Sequence, residues 1–156
     1  MRMLSLRGLG LAWAFAAVSG APVAAETCQG APSAAKLVIN VTGVRSPRGL
    51  MTASLYADDP GQFLVKNGAL KVWWGPAAVP ATRLCIWLKS PGVYALAVYQ
   101  DYDSSHHFAV GRLGPKEPYG FSRNPRILFS KPTLPAVRFL AKAGVTTLEI
   151  RLNNPL

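Results

Sequence analysis

Acidic residues are scarce in this chain. Seven Asp and Glu stand against 17 Lys and Arg, so the formal net charge is +10 over 156 residues. That imbalance points first to nucleic acid or a membrane. Cysteine is scarcer still, and two residues exclude both a disulfide-dense miniature scaffold and a Cys-rich zinc module. Only 15% of the chain is charged and half is hydrophobic, which excludes a disordered tail. The length is too short for a (β/α)8 barrel or an ordinary two-domain enzyme. Catalytic signatures are missing too. There is no Gly-x-Ser-x-Gly elbow, Ser-x-x-Lys pair, His-Glu-x-x-His helix or phosphate-cradling loop. These absences predict a protein that is not an enzyme and has no cofactor.

The N-terminal segment has the organisation of a secretory signal, cleaved after Ala25. Arg2 and Arg7 are its basic region, Leu9 to Val18 its apolar run, and Val23-Ala24-Ala25 its small-residue cleavage site. Ser19-Gly20 and Pro22 break the run, so it is too short to span a bilayer. No lipid-attachment motif surrounds Cys28, and no transmembrane segment is expected after cleavage. Removing 25 of 156 residues leaves 131, and removing two arginines takes the charge from +10 to +8. Residues 26–156 are expected to form one domain, exported to the periplasm or secreted. Export also argues against nucleic acid, and no helix-turn-helix, zinc-finger or ribonucleoprotein aromatic motif is present. In an oxidising compartment Cys28 and Cys85 are expected to form a disulfide closing 57 residues (85 − 28) and pinning the mature N-terminus onto the strand around Cys85.

Period-two alternation dominates the mature chain. Leu37, Ile39 and Val41 share one face of Lys36 to Thr42, and Leu148, Ile150 and Leu152 share one face of Val145 to Leu152. Further strands are expected at Leu50 to Tyr56, Ala69 to Trp74, Thr82 to Leu88, Ile127 to Phe129 and Ala136 to Leu140. Val93 to Gln100 is apolar on both faces, as a central buried strand would be. Turn signals such as Asp59-Pro60-Gly61, Asn67-Gly68 and Ser90-Pro91-Gly92 separate these runs. Gly61 to Asn67 is the one expected helical turn. The pattern predicts an all-β protein, an antiparallel immunoglobulin-like β-sandwich of seven to eight strands.

One long irregular stretch, Asp101 to Asn124, is expected after the central strand, and such loops usually carry function. Asp101, Asp103 and the serines after them begin a calcium-loop pattern. An EF-hand needs Gly at the sixth position and Glu at the twelfth, where this chain has His106 and Arg112. A looser calcium site through Asp101 and Asp103 is the alternative, and backbone hydrogen bonding by the aspartates is the plainer reading. His106 and His107 are adjacent, so in an extended segment their side chains diverge, which weighs against one shared ion. A hydrolase using Asp101 with His106 or His107 is a further alternative. Arg112, Lys116, Tyr119 and Arg123 interleave basic and aromatic side chains. They suit contact with an anionic envelope component or another envelope protein, and a loop strapped down by its aromatics is the plainer reading. Trp73-Trp74 places one ring in the core and one outside, with the outward ring a binding candidate.

Leu37 to Val41 leads to Gly43, Gly49-Leu50 precedes Leu55-Tyr56, and Gly61-Gln62-Phe63 follows. Pro91 to Val98, Asp101, and Gly120-Phe121-Ser122-Arg123-Asn124-Pro125 complete the set. Together these segments resemble an exported bacterial family catalogued as domain of unknown function 2141. The cysteine pair is similar to that of a proteobacterial subgroup. The resemblance implies a small secreted or periplasmic β-sandwich and no particular activity. Many members continue the aspartate loop with Asn, Gly, Leu and Asp. Here only Asp101 and Asp103 match, and Ser104 to Phe108 departs from the pattern, so the resemblance does not by itself imply calcium binding. The match at Gly120, Phe121, Ser122, Asn124 and Pro125 is read as a structural motif. Gly120 permits an unusual backbone, Phe121 anchors the loop and Asn124-Pro125 ends it. The leading expectation is a non-enzymatic binding or accessory module of the cell envelope.

Overall fold

The computed structural model describes residues 27–127 and 130–155. The expected signal segment, and Leu128 and Phe129 of the expected strand at 127–129, lie outside the described residues; Ile127 itself is in no strand. The strands are β1 (Ala35–Thr42), β2 (Leu50–Ala57), β3 (Lys71–Pro76), β4 (Ala81–Leu88) and β5 (Gly92–Asp101). They continue with β6 (Val110–Gly111), β7 (Gly114–Pro115), β8 (Tyr119–Phe121), β9 (Phe139–Ala141) and β10 (Gly144–Arg151); one helical turn, α1, spans Leu134–Val137. The protein is an all-β sandwich. The first sheet has the order β10-β1-β4 and the second β3-β2-β5-β8, with β9 also pairing to β5. Among the described residues no helix is long and apolar enough to cross a membrane.

Alternation along the strands builds the core between the sheets. Leu37, Ile39 and Val41 of β1 and Leu84, Ile86 and Leu88 of β4 face Met51, Ala53 and Leu55 of β2 and Leu96 and Val98 of β5. Trp73 joins this core and is buried, whereas Trp74 points the other way and is exposed. A second cluster lies on the far side of the second sheet. There Tyr56, Ala95 and Phe121 pack against Leu134 and Val137 of α1, with Phe63, Leu64 and Ile127 alongside. The second sheet is therefore covered on both faces, which explains why β5 is apolar on both.

The first described residues, at Cys28 and Gln29, lie beside β4. Cys28 is bonded to Cys85, and Gln29 N–H donates to Cys85 O at 2.8 Å while its carbonyl accepts from Trp87 N–H at 2.9 Å. The expected pinning of this segment onto the Cys85 strand is what the structure shows.

Four expectations are corrected. The sheets are not wholly antiparallel, because β1 and β10 run parallel from Ala35↔Gly144 to Thr42↔Arg151. The chain reaches β10 from β9 in the opposite sheet, so no hairpin dictates its direction. Ala136 to Leu140 is not one strand. Pro135 fixes the start of α1, and pairing resumes only at Phe139. Gly61 to Asn67 forms turns and no helix. Asp59 Oδ1 accepts from Gly61 N–H, and the left-handed φ of Leu64 (55°) and Asn67 (60°) prevents helical continuation. The three-residue β8 and the two-residue strands β6 and β7 fall inside the stretch expected to be irregular, so the described residues hold ten strands where seven to eight were expected.

Candidate functional site: the loop over the second sheet

The end of β5 is set by close backbone contact. Leu50 of β2 pairs with Asp101, and a Cβ on Gly49 would lie 1.9 Å from Asp101 O. Gly49 also has a φ of 71°, so no other residue fits there without moving the strand end.

From that point the chain folds around two buried carboxylates. Asp101 Oδ1 accepts from Ser105 N–H (3.1 Å) and Oδ2 from His106 N–H (2.7 Å). Glu117 Oε1 accepts from Tyr102 N–H (3.1 Å) and Oε2 from Ala109 N–H (2.9 Å). Each carboxylate replaces water with backbone donors, as a buried charge requires. Asp103 is exposed and shares the Ser105 amide at 3.1 Å. Hydrogen bonds from Ser105, side chain first and then backbone, hold the Asp103 carboxyl below the usual aspartate value. Carboxylate oxygens of Asp101, Asp103 and Glu117 lie within 4.8 Å of one another, the one such acidic group among the described residues.

The histidines take separate paths. His106 meets Asp101 through its backbone amide, while its ring lies 4.8 Å from the Trp74 ring, centroid to centroid. His107 is exposed, and neither imidazole belongs to the carboxylate group. The cysteines are both in the disulfide and offer no thiol.

Aromatic contacts seat the loop on the sheet. Strand register aligns Trp74, Thr52, Tyr99 and Tyr119 in one cross-strand row on the outer face. Phe108 sits on this row, 5.3 Å from Tyr99 and 5.9 Å from Tyr119, and Tyr119 continues to Phe121 at 6.0 Å. Burial raises the Tyr99 phenol above its ordinary value, and the charges of Asp101 and Glu117 add to the rise.

Beyond Ala109 the loop projects as a small hairpin. Lys116 N–H donates to Ala109 O at 2.9 Å, and β6 pairs with β7 around the turn Arg112-Leu113. Arg112 and Lys116 are exposed on it. Arg123 lies elsewhere, in a shallow depression of about 400 Å³ with Asp58, Val93, Arg138, Phe139 and Leu140. The basic residues adjacent in sequence thus form no single patch.

The Gly-Phe-Ser-x-Asn-Pro segment is a joint. A Cβ on Gly120 would lie 2.8 Å from Ile150 Cγ2 and 2.9 Å from Arg151 O, so β8 approaches β10 only through glycine. Tyr119 and Asn153 exchange two backbone hydrogen bonds and link the second sheet to the first. Ser122 Oγ accepts from Leu96 N–H of β5 at 3.0 Å and donates to Val137 O of α1. Asn124 Oδ1 accepts from Arg151 N–H (2.7 Å) and its Nδ2 donates to Glu149 O (2.8 Å), so its amide copies a strand partner along the edge of β10. Phe121 is buried in the second core, and Pro125, half-buried, follows the clip.

Sequence reasoning passed over Glu117 and Phe108 as site residues. Glu117 is one of only seven acidic residues, which was a usable signal. Its burial depends on the loop's path and carries no motif.

A family model described as "Uncharacterized protein conserved in bacteria (DUF2141)" matches residues 39–149. No curated protein and no solved structure matches the chain. The matched stretch runs from within β1 to within β10 and includes the Asp101 loop and the Ser122 joint, and the chain belongs to the DUF2141 family.

Proposed function

We propose that this chain is an exported, non-catalytic binding module of the cell envelope, whose contact surface for an anionic envelope component is the loop between Asp101 and Asn124. One observation carries the reading. The base of the loop is bonded to two buried carboxylates while its outer part presents Arg112 and Lys116 to solvent. A rigid base with a basic tip is how a sandwich displays a recognition loop. The Cys28–Cys85 disulfide fits an oxidising compartment.

The test is a thermal-shift titration of the exported protein with a sulfated polysaccharide, an anionic phospholipid dispersion and neutral dextran. The reading expects a rise in melting temperature with a polyanion but not with dextran. Arg112→Glu with Lys116→Glu should remove that rise. Equal responses to charged and neutral ligands, or none at all, would overturn it.

A second reading, a calcium-binding loop, is favoured by the convergence of Asp101, Asp103 and Glu117. Calcium takes about six to eight oxygens, so it would share carboxylates that already accept backbone amides. Calorimetric titration with calcium decides it: saturable heat lost in Asp103→Asn supports this reading, and no heat removes it.

A further inference from the structure

The tip of the hairpin is the most exposed apolar point of the described chain. Leu113 is fully exposed, at 105%, and Val110 on the same hairpin is 63% exposed. Folding ordinarily hides leucine, and a lone two-stranded hairpin in water is marginal. Here the hairpin is built nonetheless. Its base is closed by the Lys116–Ala109 backbone bond, by Glu117 accepting from Ala109 N–H, and by Gln100 N–H donating to Pro118 O at 2.9 Å. Phe108, at the foot of the hairpin, is 38% exposed even though its ring contacts Tyr99 and Tyr119.

Arg112 stands beside Leu113 in the turn, and Lys116 follows directly after the returning strand β7. The Lys116 stem crosses Gly111, where a Cβ would meet Lys116 Cε at 2.8 Å. The tip thus combines one protruding apolar side chain with two flanking cations. A protein partner needs a broad complementary surface, on the order of 1,000 Å² in total, and a two-residue turn offers little of that. A bilayer needs no complementary shape. It accepts a leucine at the boundary of its acyl chains while its phosphates meet arginine and lysine.

We infer that the Val110–Pro115 hairpin docks on an anionic phospholipid bilayer, with Leu113 entering the headgroup boundary and Arg112 and Lys116 on lipid phosphates. This rests on the proposed binding role of the same loop and names its partner.

The experiment is co-sedimentation of the exported protein with phosphatidylglycerol-rich vesicles and with pure phosphatidylcholine vesicles. Binding is expected to the first, to weaken with added salt, and to be much weaker on the second. Leu113→Asp and Leu113→Gln should each lower the partition coefficient at least about ten-fold, the scale set by burying a leucine. Arg112→Gln and Lys116→Gln should each lower it roughly five-fold. Unchanged melting temperatures certify that the variants are folded. Sedimentation that ignores Leu113, or none with either vesicle while a sulfated polysaccharide still binds, overturns the inference and leaves the binding module standing. Failure with vesicles and polysaccharide alike overturns both.

Discussion

The carboxylates of Asp101 and Glu117, one ending β5 and the other just before β8, lie within 4.8 Å of each other and hold the two ends of one loop. Each is buried, and each oxygen receives a backbone amide from the segment between them. The pair therefore acts as the floor on which residues 102–116 are laid.

Replacing Asp101 by Ala should remove two charge-assisted hydrogen bonds and leave the His106 amide without an acceptor, while the Ser105 amide keeps Asp103 Oδ1. The expected loss is roughly 3 kcal/mol, read from the urea midpoint. Amide exchange at Ser105 and His106 should quicken by a larger factor than exchange in β1. A midpoint within error of the parent would show that the loop does not depend on this carboxylate.

Alkaline pH should destabilise the fold through Tyr99. Its folded value is raised by burial, so its contribution is complete below the unfolded value near 10 and is lost as pH rises through the folded one. Tyr56, raised by burial as well, adds in the same direction. Tyr99→Phe should flatten the fall of melting temperature with pH in that range, and an unchanged slope would refute the assignment.

Acid acts on Asp103 in the opposite sense. Its folded value is lowered by Ser105, so its contribution is present above the unfolded aspartate value and is lost as pH falls through the folded one. Carboxyl carbon shifts followed by NMR should place its midpoint below the ordinary value near 3.9. Ser105→Ala should move the midpoint back up; a midpoint insensitive to that change would assign the shift elsewhere.

Cys85→Ser should lower stability by roughly 4 kcal/mol on the chain-entropy model of a 57-residue closure while leaving a β-type circular dichroism spectrum. Thiol titration of the unfolded, unreduced parent should find no free sulfhydryl.

Asn124→Ala should remove both side-chain bonds to β10. A cost of about 1–2 kcal/mol is expected, together with concentration-dependent association seen by light scattering, because the edge at Glu149 and Arg151 is left unpaired. A variant that stays monomeric at the highest concentration would mean that the edge is protected by other means.

Local pattern was legible in the sequence. Leu37, Ile39 and Val41 announce their shared face, Trp73 and Trp74 their opposite ones, and the two-sided apolar character of β5 its burial. Long-range choices were not. Nothing in Gly144 to Arg151 states that its neighbour is β1 and runs parallel, because direction is decided by the crossover from β9. Pro135 marked a break in the expected strand without saying that the break is helical. At the site, Asp101 was legible as a loop carboxylate, whereas Glu117 became its companion only through the return of the hairpin. The basic run from Arg112 to Arg123 looked like one surface, yet β8 intervenes and carries Arg123 to a different depression.

The parallel pairing of β1 with β10 also governs the order in which the molecule can be completed. β1 is the middle strand of its sheet, so that sheet stays unfinished until β10 arrives. A chain delivered from its N-terminus, by a ribosome or through a pore, can form the β2–β3 and β2–β5 pairs early. It must keep one side of β1 open until β10 has emerged. A nascent chain stalled before Gly144 would offer that side to other strands, and a chaperone that shields it has a defined stretch to cover, Ala35–Thr42.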